Sequence, residues 1–258
     1  MILNYSSGKR TEEQDLMSAL KLTRFTAPII SVVGAGGKTT VVERLAREYK
    51  EKNQSVIVTT TTHMKQPEDG CFLAKPDMEH FVRLLKFRRD VWMGIPDQDG
   101  KMRAFPFAFL EAVRILEIPI IIEADGANGL PCKVPAAHEP VLWEKSMIVL
   151  GVVGLDAVGR PIKEVCHRPD ETAGFLKKEK EELLTPQDIV SIGTSERGLR
   201  KSMDPFMKYH IILNKADTKE RLRLGEEIAE LFREQGEHHV LLTADLGGRN
   251  ENTDQRSR

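Results

Sequence analysis

The residues Gly34, Ala35, Gly36, Gly37, Lys38, Thr39 and Thr40 form a run whose types can hold phosphate. Glycines let backbone N–H groups turn toward oxygen atoms where a Cβ would clash. Lys38 supplies a cation for β- and γ-phosphates, and the Thr39 hydroxyl can ligate Mg²⁺. The apolar run Pro28 to Val33 before the glycines reads as a short buried strand. After them Val41, Val42, Leu45, Ala46 and Tyr49 fall at helical spacing, with Asn53 as a stop. Strand, glycine loop and helix are the context that a phosphate loop requires, with the helix N-terminus aimed at the anion.

A second motif, Asn214-Lys215-Ala216-Asp217, follows an apolar strand ending in Ile212-Leu213. The carboxylate of Asp217 can accept from two donors of guanine, Asn214 can read the N7/O6 edge, and the Lys215 stem can lie over the ring. Adenine lacks the matching donors, so base choice follows from pairing. The alternative is a strand-to-helix turn with Asp217 near an N-cap. Thr243-Ala244-Asp245, ending the last strand, is a candidate second loop near the base.

Ligands of parallel sheets gather at the carboxyl ends of the strands. The run Pro119 to Ile122 ends in Glu123-Ala124-Asp125, an apolar strand closed by acids. Thr39 with Asp125 is the expected magnesium pair. Asp125 or Glu123 would hold the ion directly or through water and orient an attacking water, so Lys38, Asp125 and Glu123 are the candidate catalytic residues. Glu123 can instead point into a helix layer with a basic partner. Thr59 to Thr62 either touch phosphate or express β propensity alone, and His63 reads as a loop histidine. Residues 125–140 are rich in turn formers and form a candidate substrate or switch loop carrying Lys133, His138 and Glu139. Cys71, Cys132 and Cys166 have neither zinc-ligand spacing nor a disulfide framework.

These residues need a scaffold that brings strand ends together. Apolar strands at 28–33, 55–62, 91–95, 119–125, 147–153, 209–213 and 240–243 alternate with helical segments near 39–52, 81–85, 105–116, 186–192 and 218–235. That alternation predicts an α/β fold of the three-layer P-loop NTPase kind, with a mostly parallel central sheet. Residues 1–245 are expected to form one such domain with a helical lead-in over 12–23. The polar segment 246–258 is expected to be a disordered tail. The chain has 258 residues and a formal net charge of −1, which gives no support for a nucleic-acid partner. No apolar stretch is long enough to span a membrane. Met1 to Arg10 lacks a basic start followed by an apolar block, so no secretory signal is expected and cytoplasmic residence is the simplest reading.

The loop departs from the eight-residue phosphate-loop pattern, because Val32 stands where that pattern begins with glycine. It resembles the shorter Gly-x-x-Gly-Lys-Thr-Thr form of Mur ligases and metallochaperone-type GTPases. Residues 31–40, Val-Thr-Thr-Thr-Thr-His-Met (58–64), Glu-Ala-Asp-Gly-Ala (123–127), Lys-Val-Pro-Ala-Ala-His-Glu-Pro (133–140), Gly-Val-Val-Gly-Leu-Asp-Ala (151–157), His-Arg-Pro (167–169) and residues 212–217 occur in that order. Together they resemble the YqeC family of accessory proteins for selenium-dependent molybdenum hydroxylases. The resemblance implies a nucleotide-dependent role in making or inserting a selenium-containing molybdenum cofactor. Its implied partners are a molybdenum hydroxylase client or a cofactor-biosynthesis protein. It implies no roles for Lys133, His138, Asp156, His167 or Arg168. The reading is a Mg²⁺-dependent GTPase. The alternatives are an ATP-dependent ligase or kinase acting on a small molecule, or a slow nucleotide-gated binding module.

Overall fold

The central strands of this chain are mostly apolar because both of their faces are covered. The computed structural model describes residues 1–6, 9–69 and 71–246. One sheet contains β1 (Ile2–Ser6), β2 (Lys9–Glu12), β3 (Ile29–Gly34), β4 (Val56–Thr60), β5 (Asp90–Trp92), β6 (Ile120–Glu123), β7 (Ile148–Gly154), β8 (Lys208–Asn214) and β9 (His239–Thr243). Their spatial order is β2-β1-β9-β8-β7-β3-β6-β4-β5. From β9 to β5 every neighbouring pair is parallel. Only β1 runs antiparallel to its neighbours β9 and β2. The sheet is therefore mostly parallel, as the alternation of elements predicts.

Successive residues of a strand point to opposite faces, and β3 feeds two layers in this way. Ile30 and Val32 pack with Val41, Val42 and Leu45 of α1 (Lys38–Glu51). Ile29 packs on the other side with Phe81 of α2 (Met78–Phe87) and with Leu110 and Val113 of α3 (Phe107–Arg114). Val33 joins the same side further along the sheet. There α4 (Pro169–Leu176), α5 (Pro186–Thr194) and α6 (Lys219–Glu234) supply Ala173, Ile189, Ile228 and Phe232. The result is three layers. Asn53 takes a left-handed conformation, φ 56°, just beyond α1, the conformation suited to a helix stop.

Three features differ from the sequence reading. The lead-in is not helical over 12–23: Glu12 belongs to β2, and only Leu16–Ala19 and the 3₁₀ turn Leu22–Arg24 are helical. Lys21, at φ 54°, separates the two, since a left-handed residue cannot continue a right-handed helix. Second, Leu246 is buried against the core rather than part of a tail; residues 247–258 lie outside the described residues. Third, His63–Lys65, Lys101–Arg103 and Ile95–Pro96 form a small antiparallel sheet beside the main one. Among the described residues no helix is long and apolar enough to cross a membrane.

One buried group ties this scaffold to pH. His210 of β8 lies 9 % exposed, its ring centroid 5.0 Å from that of His239 on β9. Burial pushes His210 down to about 3, helped by His239, Lys208 and Lys21. In the unfolded chain it titrates near its ordinary value, so that chain takes up the proton first as the pH falls. The stabilisation is complete above about 6.5 and is lost between about 6.5 and 3. His210→Gln is therefore expected to flatten the loss of stability in that window, read as urea midpoints at successive pH values. Parallel profiles for the two forms would refute the assignment.

Candidate functional site

The carboxyl ends of β3, β6, β7 and β8 meet at one edge of the sheet. Between β3 and α1 the chain turns through Gly34, Gly36 and Gly37, all at positive φ. Close approach adds to φ at all three, and at Gly34 the neighbour is the Val152 carbonyl oxygen. A Cβ on Gly36 would lie 2.2 Å from the Gly154 nitrogen, and one on Gly37 would lie 2.2 Å from Asn214 Nδ2. The Ala35 N–H donates to the Val152 carbonyl at 2.9 Å and the Gly36 N–H to the Leu130 carbonyl at 3.0 Å, which pins the loop to its neighbours. The N–H groups that open α1, from Lys38 to Thr40, have no backbone acceptor among the described residues, as a helix start requires. Lys38, Thr39 and Thr40 line a cleft of about 950 Å³.

Lys38, only 4 % exposed, curls back over this loop. Its Nζ donates to the Gly34 carbonyl at 2.7 Å and lies 3.2 Å from Asp125 Oδ1. Thr39 Oγ1 donates to Glu123 Oε2 at 2.8 Å. Burial pushes the Glu123 carboxyl up to about 7, against the pull of Lys38 and of the Thr39 hydroxyl and with some help from Asp125. The structure thus brings Thr39 to Glu123, not to Asp125. Asp125 has no exposed surface; its Oδ2 accepts from the Gly34 N–H at 3.0 Å and lies 3.3 Å from Lys133 Nζ. An acid enclosed by two ammonium groups and an amide has no open side for a cation. Thr39 and Glu123 both line the cleft, whereas the expected partner of Thr39, Asp125, is paired with Lys38 and Lys133.

Behind the loop an alternating line of charges reaches the far wall of the cleft. Lys133, wholly buried, lies between Asp125 and Glu139, donating to Glu139 Oε2 at 2.7 Å and to the Gly126 carbonyl at 2.5 Å. Arg168 Nη1 donates to the same Glu139 oxygen. Burial alone would raise the Glu139 carboxyl, but the hydrogen bonds from Arg168 and Lys133 outweigh it and hold it down at about 2. The sequence displays these residues but not their pairing. The available signal is Lys133 between Cys132 and Val134: a lysine in an apolar run must find a partner if it is buried. Cys132 and Cys166 are register partners on two short parallel strands, Cys132–Lys133 and Cys166–His167, and both are buried and free.

On the other side of the loop, Asn214 Nδ2 donates to the Gly36 carbonyl at 2.9 Å, and Asn214 Oδ1 accepts from Thr243 Oγ1 at 2.9 Å. Asn214 therefore clamps the phosphate-type loop to β9. Lys215 Nζ pairs with Asp156 Oδ2 at 2.7 Å. The Asp217 side chain is 45 % exposed; its Oδ1 accepts the Asp245 N–H at 3.1 Å, and its Oδ2 lies 3.8 Å from Arg221 Nη1. Gly37, Thr40, Asn214, Lys215, Asp217, Asp245 and Leu246 line a second, open cavity of about 370 Å³. The hydroxyls of Thr59 and Thr60 are taken by the Met93 and Glu123 carbonyls, and that of Thr61 by the Val141 carbonyl. Thr62 lines the cleft, as does His63, whose Nε2 lies 3.0 Å from Asp97 Oδ2.

Fold and site define a three-layer α/β protein with a glycine-rich turn, a lysine and a threonine at the carboxyl edge of a parallel sheet. The family described as "YqeC protein" matches residues 30–170. A protein of Escherichia coli (strain K12) described as "Uncharacterized protein YqeC" is 33 % identical over 184 residues, covering 68 % of this chain and 71 % of that one. The chain belongs to the YqeC family.

Proposed function

We propose that this chain is a magnesium-dependent nucleoside triphosphatase that prefers GTP, with ATP as the alternative nucleotide. The observation that carries the reading is the loop from Gly36 to Thr40. Positive φ together with close neighbours favours glycine at 34, 36 and 37, the first-turn N–H groups have no backbone acceptor among the described residues, and Lys38 and Thr39 line the cleft beside them. Such a loop complements a polyphosphate: amides and an ammonium meet anionic oxygens, and the helix start favours negative charge. Mg²⁺, when bound, would neutralise developing charge on the phosphates. Thr39 and Glu123 are the residues that would hold it, and the divalent charge would favour the ionised form of Glu123. Lys38 binds phosphate oxygens, and Asp125 orients Lys38 from behind.

Support for guanine comes from the cavity beside the loop. Asp217 presents a carboxylate there, and Asn214 ties that cavity to Gly36. The role of the hydrolysis, assisting maturation or insertion of a selenium-containing molybdenum cofactor, rests on the resemblance of the ordered sequence motifs. A second reading, a ligase or kinase that uses ATP, draws support from the room in the large cleft beyond the loop.

Thermal stabilisation by GTP, GDP, ATP and ADP, each with Mg²⁺, tests the reading. A ligand at 100 times its dissociation constant adds about 2.7 kcal/mol of stability, so the preferred base is visible as the larger shift. Asp217→Asn presents one acceptor and one donor, which suits xanthine rather than guanine. The expected outcome is a larger shift with GTP than with ATP for the native chain, and a relative gain for xanthosine triphosphate in the variant. A native preference for ATP transfers the assignment to the ligase or kinase reading.

A further inference from the structure

We infer that the far half of the large cleft is a second ligand site, for a small molecule bearing an oxyanion, either phosphate or carboxylate, held by Arg168. The inference deepens the proposed function and rests on it for the nucleotide that this ligand would face.

Space is the first argument. The cleft of about 950 Å³ and the cavity of about 370 Å³ share only Gly37, Thr40 and Lys215. With phosphates on the loop and the base beside Asp217, a nucleotide occupies the smaller cavity and the shared zone. The rest of the cleft runs the other way, past Gly126 to Leu130, to His138, His167 and Arg168. What remains is room for a second small molecule, since sites for such ligands span about 300–1,000 Å³.

Charge is the second argument. Arg168 is 34 % exposed, and one of its nitrogens, Nη1, is bound to Glu139. Its other N–H groups have no acceptor among the described residues, which leaves donors of a planar fork that matches an oxyanion. Glu139 does not compete for that role, because the same oxygen also accepts from the buried Lys133. In the line Lys38, Asp125, Lys133, Glu139, Arg168 three cations face two carboxylates, so the end at Arg168 keeps positive charge to offer. His167, kept neutral by burial and by the nearby Lys133 and Arg168, adds a neutral hydrogen-bonding ring. Across the cleft Lys65 and Lys101 are direct register partners in the small antiparallel sheet, and both line the cleft. Like charges placed opposite each other in a sheet repel, and neither forms an ion pair among the described residues. Asp97 on that rim is taken by His63, and Asp99 is the other acid there. A ligand with a second anionic group would relieve that repulsion.

Backbone strain is the third argument. Arg168 has φ 55° and ψ 71° and is followed by Pro169. A non-glycine residue seldom adopts that conformation, and a following proline also disfavours the helical regions. Strain of this kind concentrates where a side chain must be aimed.

The test loads the full chain with Mg²⁺ and a non-hydrolysable analogue of whichever triphosphate binds better. Inorganic phosphate and malonate are then titrated separately by calorimetry, which distinguishes a phosphate site from a carboxylate site. The expected result is saturable binding of at least one probe, weakened tenfold or more in Arg168→Ala, with nucleotide affinity changed less than twofold. Arg168→Gly relieves the left-handed strain, so it reports the same loss in a chain that stays folded should the alanine form fail. Absence of binding by both probes to the loaded native chain, or unchanged binding in the Arg168 variants, overturns the inference. If no nucleotide binds, the phosphate-loop reading fails instead. The second site is then scored alone by titrating Lys38→Ala with and without the Arg168→Gly change.

Discussion

Lys38→Ala is expected to weaken triphosphate binding about 100-fold while the chain remains folded. Two hydrogen bonds from an ammonium to phosphate oxygens contribute roughly 3 kcal/mol, at about 1.5 kcal/mol for each bond to a charged group, and 1.4 kcal/mol is a factor of ten. The fold survives because the surrounding site stays tied even though Asp125 Oδ1 loses its cation. Asp125 retains the Gly34 N–H and Lys133, and the loop retains its bonds to Val152, Leu130 and Asn214. The measurement pairs titration of a fluorescent triphosphate with a melting curve of the same preparation. Lys38→Met, which keeps the apolar stem, controls for lost packing. Affinity within threefold of the native chain in both variants would leave the phosphate-loop reading without support.

The loop was readable from sequence because its signal is local: an apolar strand, glycines and a periodic helix lie within about twenty residues. The parallel sheet was readable for a related reason, since strands buried on both faces lose the alternation of half-exposed ones. The edge hairpin escaped. Asn4, Tyr5 and Ser6 interrupt the apolar run of β1, and its partner β9 lies at the opposite end of the described chain, pairing Ile2 with Thr243. The pairing of Thr39 with Glu123 rather than with Asp125 escaped for a geometric reason. Period two puts both acids on one face, but the strand stops at Glu123, and Asp125 turns back beneath Gly34. The charge line escaped because Lys133, Glu139 and Arg168 come from a two-residue strand, a loop and the turn before α4. Nothing in their spacing states that one glutamate oxygen joins two cations.

Lys133→Met is expected to cost about 3–5 kcal/mol of folding stability at pH 7, the range found when one partner of a buried ion pair is removed. Methionine retains much of the apolar stem, so the loss is of charge rather than of volume. Asp125 and Glu139, exposed by 0 % and 5 %, would each face one cation fewer, and the Gly126 carbonyl would lose a donor. The pH dependence has a definite sign. Glu139 is held below its ordinary value in the native chain, so the stability it contributes is present above about 4.5 and is lost as the pH falls toward 2. Removing Lys133 lets Glu139 titrate higher, so the gap between variant and native chain should narrow as the pH falls below about 4.5. A double variant, Lys133→Met with Glu139→Gln, removes as well the charge of a buried carboxylate that has lost one of its two cations, and should recover part of the loss at pH 7; residues in contact depart from additivity in this way. Urea denaturation of the native chain and the two variants at pH 7 and pH 4 measures all of this. A single variant within about 1 kcal/mol of the native chain, or a double variant no more stable than the single, would show that the line from Asp125 to Arg168 is not held together by Lys133.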